Sequence, residues 1–393
     1  MITFEQALAK VTANIPLTDT ENISLAESAG RVLAEDVLSD MDMPPFDKAA
    51  VDGFACRRAD LGLGSLKIVE VIGAGIVPEI DLTVGCCSKI MTGAMVPSGA
   101  DCVVMVEQTE ICDAETTVRV MNPTTKNNIA FRGEDIHRGD KLLEKGILIK
   151  PQHIAVMAAV GVVNPLVFMH PAVCVMSTGD ELVEPQFVPG QAQIRNSNAS
   201  QLMAQLTAVG AKAVYGGIIG DNEQDTYEKI NGALQHNQVL ILSGGISMGD
   251  FDYVPVILKE MGMEILFRTI AVQPGKPTVF ARSGSKFVFA LPGNPVSSFN
   301  IFELLAKPFL YRLMGHEYHP AVLRLPLGIP YKRKAINRLG FAPAYLDASG
   351  RVFPIMYHGS AHISALTNAT AFLQIPLGVE LLSEGEMVDV RLV

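Results

Sequence analysis

Three short segments place small residues and polar side chains directly after apolar runs. They are Ser177-Thr178-Gly179-Asp180-Glu181, the stretch from Ser243-Gly244-Gly245 to Asp250 and Asp252, and Pro292-Gly293-Asn294-Pro295. Glycine lets a ligand approach the backbone, and free N–H groups at a helix start favour anions. The carboxylates Asp180, Glu181, Asp221, Asp250 and Asp252 fall at the ends of such runs, with Arg195, Arg268 and Lys276 in neighbouring loops. Carboxylates for a divalent ion, beside cations and backbone donors for oxyanions, suit a phosphate-bearing ligand with Mg²⁺ between the like charges. Taken singly, each segment is also an ordinary βα turn or N-cap, as Asp252 before Val254 could be. Three such loops at one sheet edge favour a ligand crevice.

Two rival chemistries are weaker. No Gly-x-x-x-x-Gly-Lys-Ser/Thr segment occurs, which argues against a P-loop NTPase. Gly245-Ile246-Ser247-Met248-Gly249 matches Gly-x-Ser-x-Gly, but Gly249 and Asp250 intervene before any helix, whereas a nucleophile elbow runs straight into one. His316, His319, His358 and His362 stand in no context that marks a base, and His316-Glu317-Tyr318-His319 lacks zincin spacing. Further upstream, Pro45–Ala55 (with Asp52), Met91–Pro97 (with Thr92) and Arg132–Asp135 are polar clusters that read as turns inside strand-rich sequence.

The elements that must carry these loops follow from periodicity. Phe4, Ala7, Leu8, Val11 and Ile15 keep helical spacing, with a capping box at Thr3 and Gln6. Residues 21–40 read as a strand, a turn at Ala29-Gly30 and an apolar run. From 43 to 149, short strands (Leu66–Ile72, Cys86–Met91, Cys102–Val106, Thr117–Met121, Lys141–Leu148) suggest an all-β module. A helix follows at Gln152–Val160. Between 171 and 315 the pattern alternates. Strands are expected at Ala172–Met176, Lys212–Gly216, Val239–Leu242, Glu264–Phe267 and Phe287–Leu291, and helices at Ala199–Val209, Glu223–Gln235, Val254–Met261 and Val296–Met314. This predicts a mostly parallel sheet with helices on both faces, its ligands beyond the carboxyl ends of the strands. The last residues return to strands at Val322–Leu327, Phe341–Leu346, Ala371–Ile375 and Met387–Leu392.

Composition bounds the partners. The 393 residues carry 31 Lys+Arg against 41 Asp+Glu, a formal net charge of −10. Without a basic face, a nucleic-acid partner is not expected. No run approaches the ~20 apolar residues that span a bilayer, so no membrane partner is expected either. No secretory leader pattern is visible at the start. Six cysteines without a Cys-x-x-Cys pair read as buried thiols of a reducing compartment, and a cytoplasmic location is expected.

Taken together, Pro44–Ala55, Ile90–Pro97, Arg132–Asp135, Ser177–Leu182, Ile194–Asn198, Ser243–Tyr253, Pro274–Pro277, Leu291–Pro295 and Gly359–Leu366 form an ordered set over essentially the whole chain. In this the chain resembles the molybdopterin molybdenumtransferase family, which includes the C-terminal domain of gephyrin. The resemblance implies a multidomain α/β plus β fold. An elongated dimerisation domain would span 1–42 and 150–170, with a β-rich domain inserted at 43–149. A molybdopterin-binding α/β domain would cover 171–318 and a small C-terminal β domain 319–393. It also implies a homodimer with its sites between subunits and a reaction of adenylylated molybdopterin with molybdate. That reaction uses Mg²⁺ and releases AMP and molybdenum cofactor. The molybdopterin adenylyltransferase is an implied partner.

Position by position, the resemblance gives Asp52, Thr92, Asp135, Glu181, Asp221, Asp252 and Lys276 as catalytic. Asp221, Asp250 and Asp252 become metal-organising. The implied substrate cradle is Ser177, Gly179, Asp180, Ser243, Gly244, Gly245, Asp250 and Pro292-Gly293-Asn294-Pro295, with Arg338 and Ser360. One departure is Gln273, where many members carry Lys, which implies a weaker pull on molybdate. A dimeric scaffold of the same fold without insertase activity is the alternative.

Overall fold

A computed structural model describes residues 1–246, 253–356 and 359–393. Ser247, Asp250, Asp252 and His358 therefore lie outside the described residues. The chain divides into two compact units. One comprises Met1–Glu35, Lys145–Ile149 and Pro165–Val393, and the other Asp36–Glu144 and Lys150–Asn164.

The first unit is built on a six-stranded sheet of β1 (Ala172–Thr178), β2 (Lys212–Ile219), β3 (Val239–Ser243), β4 (Glu264–Thr269), β5 (Pro277–Ser283) and β6 (Lys286–Leu291). Their spatial order is β2-β1-β3-β6-β5-β4. The first four run parallel, and β5 lies antiparallel to both β6 and β4. β3 is buried along its whole length, which is why Val-Leu-Ile-Leu reads as a continuous apolar run without alternation. Successive residues serve opposite faces. Val173, Val175, Val239, Ile241, Phe287 and Phe289 pack in one core with α1 (Ser197–Val209). Cys174, Met176, Leu240, Leu242, Val288 and Ala290 pack in a second core with α2 (Glu223–His236) and α3 (Val254–Glu260).

Caps fix the helix starts. The Asn196 side chain accepts from the Ala199 N–H at the head of α1, and Gly210, at φ 82°, ends that helix in the left-handed region. Asn222 caps α2 in the same way. Thr3 and Gln6 form the expected capping box on the helix Phe4–Thr12.

Two expectations change. β5 went unread because Pro274-Gly275-Lys276-Pro277 looks like turn sequence, yet it opens a strand that folds back on β6. The helix expected over Val296–Met314 runs as Pro295–Ile301, a π turn Phe302–Ala306 and Lys307–Leu313. That turn carries Glu303, a buried carboxylate that accepts from Gln205 Nε2 and Lys307 Nζ, each at 2.8 Å. The backbone carbonyl of Glu303 accepts from Arg391 at 2.7 Å, tying the helix to the C-terminal sheet. That sheet orders Val272–Gln273, Leu339–Leu346, Ala371–Ile375, Met387–Leu392 and Val322–Pro326 side by side, with Val352–Pro354 beside Leu339–Leu346.

The second unit holds a six-stranded sheet ordered Cys102–Met105, Gly53–Cys56, Cys86–Ile90, Ser65–Ile72, Thr117–Val120 and Thr109–Cys112. Gly53–Cys56 corrects the reading of this stretch as a turn, because it pairs on both sides inside the sheet. A glycine sits there because any Cβ would collide with the Val104 carbonyl. Cys56, Cys87, Cys102 and Cys174 are buried free thiols, as their apolar contexts suggested, while Cys86 and Cys112 are partly exposed.

Candidate functional site

A cavity of about 710 Å³ opens at the carboxyl ends of β1, β3 and β6. Strand order sets its place. The chain leaves β1 toward β2 on one side, while β3 lies on the other, so the loops diverge and leave a crevice. All three loops singled out in the sequence line it, through Ser177, Gly179 and Glu181, through Ser243, Gly244 and Gly245, and through Pro292-Gly293-Asn294-Pro295. Asp221, from the end of β2, joins them.

Close backbone approach shapes the floor. A Cβ on Gly244 would sit 2.7 Å from Thr178 Oγ1 and 2.8 Å from the Thr178 carbonyl, at a backbone φ of 98°. The strand ends are laced by amides that sequence reasoning passed over. Asn198 Nδ2 donates to Ser243 Oγ and to the Gly293 carbonyl, each at 2.7 Å. With both amide protons so engaged, Asn198 Oδ1 is left buried without a partner, as is Thr178 Oγ1. Two orphaned acceptors among the cavity-lining residues cost free energy unless a ligand donor meets them. The only sequence signal was the pair of asparagines flanking Ser197, which reads equally as a helix cap.

The charged groups among the described lining residues are Glu181, Asp221 and Arg195. Asp180 lies beside rather than in the cavity. Its N–H donates to Asp221 Oδ2 at 3.2 Å, and the Asp221 N–H donates to Asp180 Oδ1 at 3.0 Å. This reciprocal pair locks the ends of β1 and β2 together. No cluster of three or more His, Cys, Asp or Glu side chains is gathered for a metal among the described residues. Mg²⁺ keeps several waters and takes one or two carboxylates plus substrate phosphates. Asp221 and Glu181, hard oxygen donors that both line the cavity, are of the right chemistry for that requirement.

Of the remaining sequence-derived positions in this unit, Ser360 and Lys276 adjoin lining residues and Arg338 does not. Ser360 Oγ accepts from Asn294 Nδ2 at 3.0 Å, next to the lining residues Ala361 and Ile363. Lys276 directly precedes the lining residue Pro277, and its carbonyl accepts from the Ile270 N–H at 3.0 Å. Arg338 contributes its carbonyl to Arg333 at 2.8 Å and does not line the cavity. Gln273 shares a small void of about 30 Å³ with the buried Arg333, so a lysine there would bring a second cation to that void.

Asp52, Thr92 and Asp135 belong to the second unit. Asp52 Oδ1 accepts from the Thr92 N–H at 2.7 Å and from Thr92 Oγ1 at 2.8 Å. The Thr92 N–H first, then its hydroxyl, hold the Asp52 carboxyl below its ordinary value. A depressed carboxyl contributes stability above the unfolded value near 3.8, and this is lost as pH falls through the folded value. Thr92→Val keeps the N–H and removes the hydroxyl. It is expected to move the Asp52 midpoint up part of the way toward 3.8, as read by carboxyl-carbon NMR titration. Asp135 lines a separate cavity of about 590 Å³ with Met41, Met43, Lys48 and Glu134.

The fold and cavity together define a multidomain protein with an α/β ligand-binding body. Residues 174–312 match the family model described as "Probable molybdopterin binding domain". Residues 2–161 match "MoeA N-terminal region (domain I and II)", and 324–393 match "MoeA C-terminal region (domain IV)". A molybdopterin molybdenumtransferase of Staphylococcus epidermidis is 36% identical over 100% of this chain and 95% of its own length. One from Staphylococcus aureus is 33% identical over 100% and 95%. A crystal structure of a molybdopterin biosynthesis MoeA protein from Pyrococcus horikoshii superimposes with a TM-score of 0.87 at 29% identity, covering 100% of both chains. Another molybdopterin biosynthesis MoeA structure from Pyrococcus horikoshii gives 0.84 at 32% identity, covering 100% of this chain and 99% of the other. The chain belongs to the molybdopterin molybdenumtransferase family, a family of enzymes.

Proposed function

We propose that this enzyme inserts molybdenum from molybdate into adenylylated molybdopterin, with Mg²⁺, and releases AMP and molybdenum cofactor. The observation that carries the reading is the cavity at the ends of β1, β3 and β6. It brings glycine-bearing loops, two carboxylates and two unpartnered buried oxygens together in a chain of this family. The relatives' name is that of a transferase, which does not favour the scaffold alternative.

The roles follow from chemistry. Ser177, Gly179, Ser243, Gly244, Gly245 and the Pro292–Pro295 loop cradle pterin and phosphate, and Asp180 braces Asp221. The unpartnered oxygens of Asn198 and Thr178 suit the N–H donors that a pterin ring presents. Asp221 would hold Mg²⁺, with Glu181, Asp250 and Asp252 as the further carboxylates assigned to it. Mg²⁺, when bound, neutralises charge between these carboxylates and the phosphate oxygens. On the resemblance, Lys276, Arg338 and Ser360 are assigned to molybdate or phosphate oxygens, and Asp52, Thr92 and Asp135 are assigned catalytic roles.

The same reading includes the four-domain division with boundaries near 43, 150, 171 and 319. It includes a homodimer, a cytoplasmic location and hand-over of substrate from the adenylyltransferase. No helix among the described residues is long and apolar enough to cross a membrane.

The test is direct. Purified protein supplied with adenylylated molybdopterin, Mg²⁺ and molybdate or tungstate should release AMP and form active cofactor. No release with either anion, from folded protein, refutes the reading. Glu181→Ala is expected to lower the rate by about 100-fold if its carboxylate acts on the reacting groups. A wild-type rate in that variant removes Glu181 from the mechanism.

A further inference from the structure

We propose that Tyr215, outside the cavity lining, is a positioning residue for the reaction. Its hydroxyl clamps the flap 179–196 that carries Glu181 and Arg195 into the cavity. The proposal rests on the functional reading above for its kinetic consequence, but not for the clamp itself.

The flap is a small, self-contained structure. Leu182–Val183 pairs in parallel with Ile194–Arg195. The Ile194 N–H donates to the Glu181 carbonyl and the Asn196 N–H to the Val183 carbonyl, each at 2.8 Å. Arg195 Nε closes the loop between them by donating to the Pro185 and Phe187 carbonyls at 3.0 and 3.1 Å. Phe187, Val188 and Ile194 are exposed, so the flap has little apolar burial to hold it down. Its six cavity-lining residues, Gly179, Glu181, Leu182, Ile194, Arg195 and Asn196, therefore depend on polar ties for their positions.

Tyr215 ties both arms at once. Its hydroxyl donates to Glu184 Oε1 at 2.7 Å, just beyond the first short strand. The same oxygen accepts from Asn196 Nδ2 at 2.9 Å, just beyond the second. Asn196 Oδ1 in turn accepts from Ser177 Oγ at 2.9 Å, on the cavity floor. Each donor and acceptor in the series Ser177, Asn196, Tyr215, Glu184 has one consistent direction, so the line is fully satisfied. Tyr215 is 40% exposed, yet partial desolvation of its hydroxyl first, and the hydrogen bond to Glu184 second, push the phenol up, which keeps it a neutral donor.

The edge strand β2 is shaped around this tyrosine. Val175 of β1 faces Tyr215, but Ser177 faces Ile218, so β2 carries one extra residue at Gly216-Gly217. Gly217 has φ 93°, and a Cβ on Gly216 would meet Met176 and Cys174. Such a bulge re-aims the side chains on either side of it. Here Tyr215 meets the flap on one side of the bulge, and Asp221 reaches the cavity beyond the other.

Three full-length proteins are compared, namely wild type, Tyr215→Phe and Glu184→Gln. Tyr215→Phe is expected to raise KM for adenylylated molybdopterin about tenfold with kcat little changed. Backbone hydrogen exchange at Ile194 and Asn196 is expected to quicken by a similar factor, with the melting temperature nearly unchanged. Glu184→Gln, which keeps a carbonyl acceptor for the phenol, is expected to stay near wild type in all three readouts. Wild-type exchange in Tyr215→Phe overturns the clamp. Faster exchange with an unchanged KM overturns the positioning role, and a Glu184→Gln protein as impaired as Tyr215→Phe overturns the hydrogen-bond account. A wild-type protein that does not turn over overturns the functional reading, and the exchange rates then decide the clamp alone.

Discussion

Replacing Gly244 with alanine is expected to collapse the cavity floor and lower turnover by at least about 100-fold, with a lower melting temperature. Two costs act together. A backbone at φ 98° strains any residue with a Cβ. The added methyl group would also sit 2.7 Å from Thr178 Oγ1 and 2.8 Å from the Thr178 carbonyl, and the second of these is backbone that cannot swing away. Together they amount to about 3 kcal/mol of destabilisation, relieved by pushing the ends of β1 and β3 apart. Gly293→Ala is the control, because its nearest neighbour would be Gly244 Cα at 3.7 Å, an ordinary contact. A thermal melt and a turnover assay on both variants separate the outcomes. Equal behaviour of the two would show that the cradle does not depend on this close approach.

Asp221→Asn is expected to reduce turnover by about 100-fold or more while leaving the fold intact. The amide preserves shape and can still accept the Asp180 N–H through its oxygen, so the strand-end lock is retained. What is lost is a formal charge at a position that lines the cavity. Loss of a preorganised charged partner for developing charge or for a divalent ion costs about 2.7 kcal/mol per 100-fold. The Mg²⁺ concentration giving half-maximal activity should rise in parallel. Asp180→Asn should cost much less, since Asp180 braces Asp221 from outside the cavity. An Asp221→Asn protein with the wild-type rate and the wild-type Mg²⁺ response would remove this carboxylate from the site.

Both variants were nameable from sequence, but the reasons behind their expected magnitudes were not. Gly244 was visible as a small residue after an apolar run. That its Cβ would strike Thr178 depends on β1 and β3 being neighbours. Asp180 and Asp221 were indistinguishable as strand-end carboxylates, and their hydrogen bonds are reciprocal; only the cavity lining, which includes Asp221 and not Asp180, separates them. Asn196, Asn198 and Tyr215 carried no signal beyond cap or edge-strand residue. Their importance comes from partners 19 to 95 positions away. The strand Gly53–Cys56 was hidden because glycine and aspartate before it mimic a turn, and the sheet's need for a residue without a Cβ overrode local propensity.

The alternating α/β body, the three loops at its strand ends and the family were all legible in the sequence, because local periodicity and ordered motifs survive without knowledge of contacts. It also supplied the acidic excess, a net charge of −10 over the whole chain. The tertiary structure alone decided how that charge is used. It brings Glu181 and Asp221 to one cavity with Arg195 and leaves two oxygens there without partners. It also ties the flap to an edge-strand tyrosine. The physical reason is that pairing, close approach and desolvation are properties of neighbours in space, and strand order determines which residues become neighbours.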